Sequence, residues 1–481
     1  MRSVCRKRFI NPLITACCLL ALALAGAAAT AQVTSVTVDY SKPFEKVAGY
    51  TYVEATMHGT VERDDGTVGE YSVPMILIYP NDGGNSVGVV DWPTSTYYGA
   101  TGHEDLDESM TMQNSRDVTD GYLFEQSYTY ASVQWNKEVT ELFGPSGDPS
   151  DPDYNHLVYG KIEKGTDVWH ILRDAARFLR DPSALDSADG PLPVDTVLSF
   201  GFSQTAALQN QFLSLGENTL DGELVYDGHL LSVAGYLCET RTDEAPFYSL
   251  AFRCDDPSAH HQGRPVDDGS KMIAIQTQSD LEGPLFFAVL SRFEDEPNWR
   301  QYELGGVSHL PPSVWPDLSE VQNPADFRPV FRAGFHNLKL WTTEGTAPPP
   351  PKYLDGEVIP DGEELAGALN TDLDEDGNAL GGLRLPHMEQ VIDGEVAGAP
   401  LGVYAGLNPD IDPDDPISGF VLFAGTFTPF SDEELAERYP DHETYVNRVT
   451  RAADYLWEKG YILEEDRDAY VREAEQSSIG R

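Results

Sequence analysis

Apolar and polar positions alternate with a period of two along residues 33–39 and 50–57, the pattern of half-buried edge strands. At 73–79 and 87–91 the runs are dense in Val, Ile and Leu, as in central strands covered on both faces. A further strand is expected at 128–135, after a polar stretch at 102–121 that predicts a short helix with loop. At 167–179 the spacing changes. Val168, Ile171, Leu172, Ala175, Phe178 and Leu179 fall on one helical face, and Asp181-Pro182 ends the element. Next come a short apolar strand at 194–200, a turn at 201–205, and an amphipathic helix at 205–215 closed by Gly216. Strands are expected again at 230–236, 272–277 and 300–304. Strands alternating with helices predict an α/β fold: a mostly parallel central sheet flanked by helices.

The texture changes after residue 345. A proline run at 348–351 predicts extended, solvent-exposed chain. Residues 353–430 are rich in Gly, Asp and Pro and show little periodicity. The end is helical, at 432–438, 443–459 and 465–475. No internal repeat is visible. At the other end, Arg2, Arg6, Lys7 and Arg8 precede an apolar run at 13–25, and Ala29-Thr30-Ala31 fits a small-residue cleavage site before Gln32. This order reads as a secretory signal peptide. The apolar run is short for a spanning helix. Ile14-Thr15-Ala16-Cys17 resembles a lipobox, but the apolar stretch continues past Cys17. The expected organisation is therefore a signal peptide at 1–31, a core at 32–344 and a C-terminal extension at 345–481 packed on it. The expected location is outside the cytoplasm, periplasmic or extracellular, with no membrane attachment after cleavage.

Charge narrows the partners. The 32 basic and 79 acidic residues leave a net charge of −47, and residues 1–31 carry four basic and no acidic side chains. Such a field repels nucleic acid and anionic membrane surfaces and disfavours polyanionic substrates. Of five cysteines only Cys238 and Cys254 lie beyond the signal segment. In an oxidising compartment they predict one disulfide, worth roughly 3 kcal/mol in the chain-entropy model; two buried free thiols are the alternative. No His or Cys cluster completes a metal site. Asp372-x-Asp374-x-Asp376-Gly377-Asn378 resembles the start of a calcium loop, but Leu383 stands where a bidentate Glu is needed, which favours a metal-free turn.

The chemistry concentrates at Gly201-x-Ser203-x-Thr205, between an expected strand and an expected helix. A strand running straight into a helix forces a sharp turn and leaves the Ser side chain exposed above the sheet edge. Its neighbours two positions away must be small; Gly201 is, while Thr205 stands where a second Gly is usual. A Ser hydroxyl needs a base. His309 follows the strand at 300–304, and Asp280, three residues after the strand at 272–277, would orient its imidazole; Glu282, two residues on, is the alternative acid. The order Ser203, Asp280, His309 is that of the α/β-hydrolase fold. The N–H of Gln204 is the expected first oxyanion donor. The second is sought after strand 87–91, at Thr94 or Ser95, since Pro93 has no N–H. His260 and His261, in an acidic loop, read as solvated side chains, with the lining of a substrate cleft as the alternative. No cofactor is required.

Several motifs together resemble a family. Ser199-Phe200-Gly201-Phe202-Ser203-Gln204-Thr205, Tyr226-Asp227-Gly228-His229 and Ala234-Gly235 are similar to bacterial exported proteins called alpha/beta-hydrolase domain proteins. So are Trp299-Arg300-Gln301-Tyr302-Glu303-Leu304-Gly305-Gly306 leading to His309, and Phe331-Arg332-Ala333 leading to Leu340-Trp341. The run Asp376-Gly377-Asn378-Ala379-Leu380-Gly381-Gly382-Leu383-Arg384-Leu385-Pro386, Pro429-Phe430 and Glu437-Arg438-Tyr439 match too. The resemblance spans most of 190–475. It implies a serine ester hydrolase of the α/β fold, with Ser203 as nucleophile, His309 as base, and Asp280 or Glu282 as acid. It also implies that 345–481 belongs to the catalytic unit and that the 376–378 turn is a structural element. The expectation is an exported enzyme acting on small-molecule carboxylic esters. A peptidase or lactonase with the same residues, and a non-catalytic exported binding protein on the same fold, are the alternatives.

Overall fold

The computed structural model describes residues 32–63, 65–93, 118–135, 160–187, 190–234, 264–283, 287–313, 315, 317–360, 362–363, 365–410 and 418–481. Ten strands form one sheet. They are β1 (Gln32–Pro43), β2 (Tyr50–Glu62), β3 (Val68–Pro80), β4 (Val87–Trp92), β5 (Thr129–Val133), β6 (Lys161–Ile162), β7 (Thr196–Phe202), β8 (Gly228–Ser232), β9 (Lys271–Thr277) and β10 (Trp299–Leu304). Their order is β1-β2-β3-β5-β4-β7-β8-β9-β10, with β6 beside β3. From β5 to β10 the neighbours on this path run parallel; β1, β2 and β3 form an antiparallel wing.

The wing departs from the expected edge strands. β1 is the half-buried edge, but β2 lies between β1 and β3 and is buried along most of its length. Its polar positions look solvent-facing in sequence yet find partners inside. Thr56 Oγ1 donates to Asp39 Oδ2 at 2.7 Å, and Tyr52 OH donates to Glu54 Oε1 at 3.1 Å. A buried polar group that keeps a hydrogen bond loses little on leaving water.

Helices cover both faces. The short α1 (Tyr122–Glu125) is followed by α2 (Val168–Arg180), which packs chiefly on β5, β4 and β7, its buried stripe Ile171, Leu172, Ala175, Phe178 and Leu179 sharing one core with Met75, Leu77 and Val90. α3 (Gln204–Ser214) follows β7, and α4 (Gln278–Glu282) follows β9. The opposite face carries α5 (Arg328–Glu344), a helix the strand-and-helix reading did not anticipate. Phe331, Phe335, Leu338 and Trp341 bury its inner stripe against Phe200, Leu230, Ile273 and Ile275. Pro329 occupies its first turn, where a missing N–H costs nothing, and Gly345, at φ 72°, ends it.

Residues 345–481 are more structured than their composition implies. Three hairpins, β11 (Gly356–Val358) with β12 (Leu369–Thr371), β13 (Gln390–Ile392) with β14 (Glu395–Ala397), and β15 (Gly402–Ala405) with β16 (Thr426–Pro429), are held at short registers. Helices α6 (Ser418–Leu422), α7 (Asp432–Arg438), α8 (His442–Glu458) and α9 (Glu464–Gln476) complete the chain. The extension is stitched to the free edge of β10. Lys352 N donates to Gln301 O at 3.0 Å, Glu303 N to Lys352 O at 2.9 Å, and Leu383 N to Glu303 O at 2.7 Å. The buried Glu303 carboxylate, pushed upward by burial, is held by Arg292 Nε at 2.7 Å and Nη2 at 2.6 Å and accepts from Leu354 N at 2.8 Å.

The calcium-like run is an Asp-closed turn. Asp374 Oδ1 accepts from Asp376 N and Asn378 N, its Oδ2 accepts from Arg384 at 3.1 Å, and Asp376 pairs with Arg438. Arginines thus pair with two of the three aspartates of the run, Asp374 and Asp376. Among the described residues no cluster of His, Cys, Asp and Glu is arranged to hold a metal, and no helix is long and apolar enough to cross a membrane. Residues 1–31, Thr94, Ser95, Cys238, Cys254, His260 and His261 lie outside the described residues.

Candidate active site

The turn between β7 and α3 has the strained backbone the sequence implied. Ser203 sits at φ 54°, ψ −114°, in a region costly for any residue with a side chain. Its N–H donates to Ser232 O at 2.9 Å, tying the bend to β8. Gly201 is required by contact: a Cβ there would meet Thr205 C and O at 2.7 Å and Gln209 Oε1 at 2.6 Å. Thr205 fits where a second Gly is usual because its hydroxyl serves the bend. Thr205 Oγ1 accepts from Phe202 N at 2.9 Å and donates to Phe202 O at 3.1 Å. Below, the buried Ser199 Oγ accepts from Gln209 Nε2 at 2.7 Å and lies 2.7 Å from His229 Nδ1, locking α3 to β7 and β8. Burial pushes His229 down to about 4, so this imidazole is neutral at ordinary pH.

Three side chains from separate elements meet above this bend. His309 Nε2 lies 3.0 Å from Ser203 Oγ, and His309 Nδ1 lies 2.5 Å from Asp280 Oδ1. A carboxylate only accepts, so Nδ1 carries a proton, and in the neutral ring Nε2 presents its lone pair to the Ser203 hydroxyl. Asp280 is fully buried and His309 nearly so. The second carboxylate oxygen, Oδ2, accepts from Thr277 N and Thr277 Oγ1, both at 2.6 Å. These bonds close a capping box on α4 and fix the carboxylate. Glu282 does not join them. It is two residues further on α4, its carboxylate accepts from Gln278 Nε2 at 2.9 Å, and burial pushes its pKa upward.

The loop bearing His309 is fastened at several points. Gln278 N donates to Val307 O at 3.1 Å, Gly306 N to Gln278 Oε1 at 3.0 Å, and His309 N to Ser279 Oγ at 2.7 Å. The imidazole stands between two rings, Phe202 at 5.6 Å and Phe423 at 5.7 Å between centroids. Phe423 belongs to the C-terminal extension, and its carbonyl accepts from Leu310 N at 2.9 Å. Asn323 Nδ2 joins the loop to the β15 hairpin, donating to Gly306 O at 3.2 Å and Ala405 O at 2.9 Å. Gln278, Ser279, Asn323 and Phe423 were not singled out in the sequence. Thr277-x-x-Asp280 was a readable capping signal; the other contacts depend on tertiary packing.

Gln204, directly after Ser203, opens α3, whose first N–H groups have no acceptor within the helix. Trp92, at the end of β4, pairs in register with Gly201, so the chain leaving β4 begins beside the bend. It is described as far as Pro93, whose carbonyl accepts from Trp135 Nε1 at 2.9 Å. As a chemical unit, a hydroxyl against an imidazole backed by a buried carboxylate can pass a proton from oxygen to nitrogen, and the resulting imidazolium would face Asp280.

This sheet order, with a strained serine bend between strand and helix, defines an α/β hydrolase. The chain belongs to the alpha/beta hydrolase domain family, which matches residues 112–472. No functionally curated protein matches the sequence. Among solved structures it is similar to a glucuronoyl esterase from Solibacter usitatus, with 12% identity over 52% of this chain and 68% of that one at a TM-score of 0.28. It is similar to an esterase from Pyrococcus furiosus, with 12% identity over 53% and 82% at 0.27. The rice cell wall degrading esterase LipA from Xanthomonas oryzae shows 13% identity over 42% and 48% at 0.22, so this chain spans about half of it. Identities and TM-scores this low carry no information about the substrate of this chain.

Proposed function

We propose that this protein is a serine hydrolase of carboxylic esters, acting through Ser203, His309 and Asp280. One observation carries the reading: the hydrogen-bonded series from Ser203 Oγ through the His309 ring to the buried Asp280, standing on a strained bend. Ser203 Oγ attacks the acyl carbon while His309 Nε2 takes its proton. The tetrahedral oxyanion is stabilised by the N–H of Gln204 and by a second N–H after β4, for which Thr94 is our candidate. His309 then protonates the departing alkoxide, leaving an acyl-enzyme on Ser203. Water, deprotonated by His309, releases the acid. Asp280 holds the ring with Nε2 toward the hydroxyl and stabilises the imidazolium. Glu282, turned to Gln278, is not part of this series.

Esters rather than amides are favoured because an alkoxide leaves more readily than an amine. The basic, apolar and small-residue order of residues 1–31 supports export with the mature chain beginning at Gln32. The test is a panel of p-nitrophenyl esters of graded acyl length, with matching anilides and lactones, assayed on wild type and Ser203→Ala. The proposal expects ester turnover in the wild type that the variant loses, and weak or absent anilide cleavage. Ester turnover that persists in Ser203→Ala, or none with any ester, would reject it; the latter result would favour a binding protein on the same fold.

A further inference from the structure

A cavity of about 480 Å³ opens between the segment preceding α5 and the C-terminal hairpins and helices. That volume suits a small molecule. Neither Ser203 nor His309 lines it. Its aromatic walls are Tyr404, Phe427, Tyr445 and Tyr470, and its polar lining includes His387, Asp326 and Glu473. His387, Tyr404 and Phe427 stand as a row of rings with neighbouring centroids 4.7 and 4.8 Å apart.

The lining has two carboxylates and neither Lys nor Arg. Asp326 is already served, accepting from Arg328 Nε at 2.8 Å and from Ser313 Oγ at 3.0 Å. Glu473 is different: it is exposed, and among the described residues no cation pairs with it. Burial, and with it the Glu473 charge, raises the phenol pKa values of Tyr404, Tyr445 and Tyr470, which puts this carboxylate within electrostatic reach of all three rings. Ring faces and an unneutralised carboxylate attract the same kind of group. The charge of the whole chain acts in the same direction.

We infer that this cavity is a second ligand site, separate from Ser203, for a small organic cation of the methylated-ammonium class. The ammonium would sit among the rings of Tyr404, Tyr445 and Tyr470, with Glu473 closing the rim. An anion would meet two carboxylates; a neutral ligand of the same shape would lose both the ring attraction and the Glu473 charge. The site touches the loop bearing His309 at Gly306, whose carbonyl lies 3.3 Å from His387 Nε2. The inference does not depend on the ester hydrolase reading.

Titration calorimetry of the full chain with choline tests it, using 3,3-dimethylbutan-1-ol as the uncharged carbon counterpart. The expected result is saturable choline binding at least about tenfold tighter than the alcohol. Glu473→Gln, at an exposed position, should weaken choline at least about tenfold, while Glu475→Gln and Ser203→Ala leave it unchanged. Four results would overturn the inference. These are absence of saturable binding, equal affinity for the alcohol, equal weakening by Glu473→Gln and Glu475→Gln, and loss of binding in Ser203→Ala, which would put the choline in the catalytic cleft.

Discussion

Asp280 and Glu282 are two residues apart and chemically equivalent in sequence, yet their surroundings separate them. Asp280 faces the His309 ring and takes two bonds from Thr277, whereas Glu282 turns to Gln278. Asp280→Asn should therefore lower kcat by about 10⁴-fold, because the amide permits the wrong imidazole tautomer. Glu282→Gln should keep kcat within a few-fold of wild type. Steady-state kinetics on both variants checks the assignment; the reverse ranking would make Glu282 the acid. A second carboxyl shows a stability effect. Asp174 on α2 is fully buried, bonded by Tyr71 OH at 2.7 Å, and burial raises it from 3.8 to about 6. A carboxyl with a raised folded pKa holds its proton more tightly when folded, so stability falls as pH climbs from about 4 to about 6. Asp174→Asn removes that loss. It should equal wild type near pH 4 and exceed it by up to about 3 kcal/mol at pH 7 in urea unfolding. Parallel pH profiles for the two proteins would contradict this.

At the scale of elements, the half of the fold around Ser203 was largely legible. The apolar run at 194–200 and the helical spacing after it located β7, the bend and α3 within two residues, because local periodicity and a small-residue turn define that junction. His309 followed from its position after β10. What was not legible came from tertiary satisfaction of polar groups. β2 reads as an edge strand because its alternate positions are polar, but Asp39 and Tyr52 pair with them inside the sheet. α5 carries its signals in Pro329, Gly345 and the spacing of Phe331, Phe335 and Leu338, but Arg332, His336 and Lys339 beside them blur the apolar stripe. The hairpins within 353–430 are too short for a two-residue period to emerge. They also carry Phe423, which packs on the His309 ring and against Gly283 at the end of α4. Phe423→Ala should destabilise the fold by about 3 kcal/mol and lower kcat with KM nearly unchanged, since the ring supports the base and not the substrate. Thermal melts and ester kinetics measure both; a KM effect alone would place Phe423 in substrate binding.

At the scale of the whole molecule, the C-terminal extension is packed on the core and on the loop bearing His309. Lys352 and Leu383 cover the exposed edge of β10, Leu354 backs the buried Glu303, and Phe423 encloses His309. A chain ending at Glu344 leaves that edge unpaired and the base loop without its outer wall. Such an edge is a site for aggregation. The shortened chain should give little soluble protein and no cooperative melt by circular dichroism. A cooperatively folded, ester-cleaving chain of that length would show that the extension is dispensable. The central claim, that Ser203 is activated by His309, is tested most directly by identifying the residue that reacts with a fluorophosphonate. Mass spectrometry of the labelled protein should find one adduct, on the peptide containing Ser203, and labelling should drop sharply in His309→Ala. An adduct on another residue, or undiminished labelling of Ser203 without His309, would contradict the account.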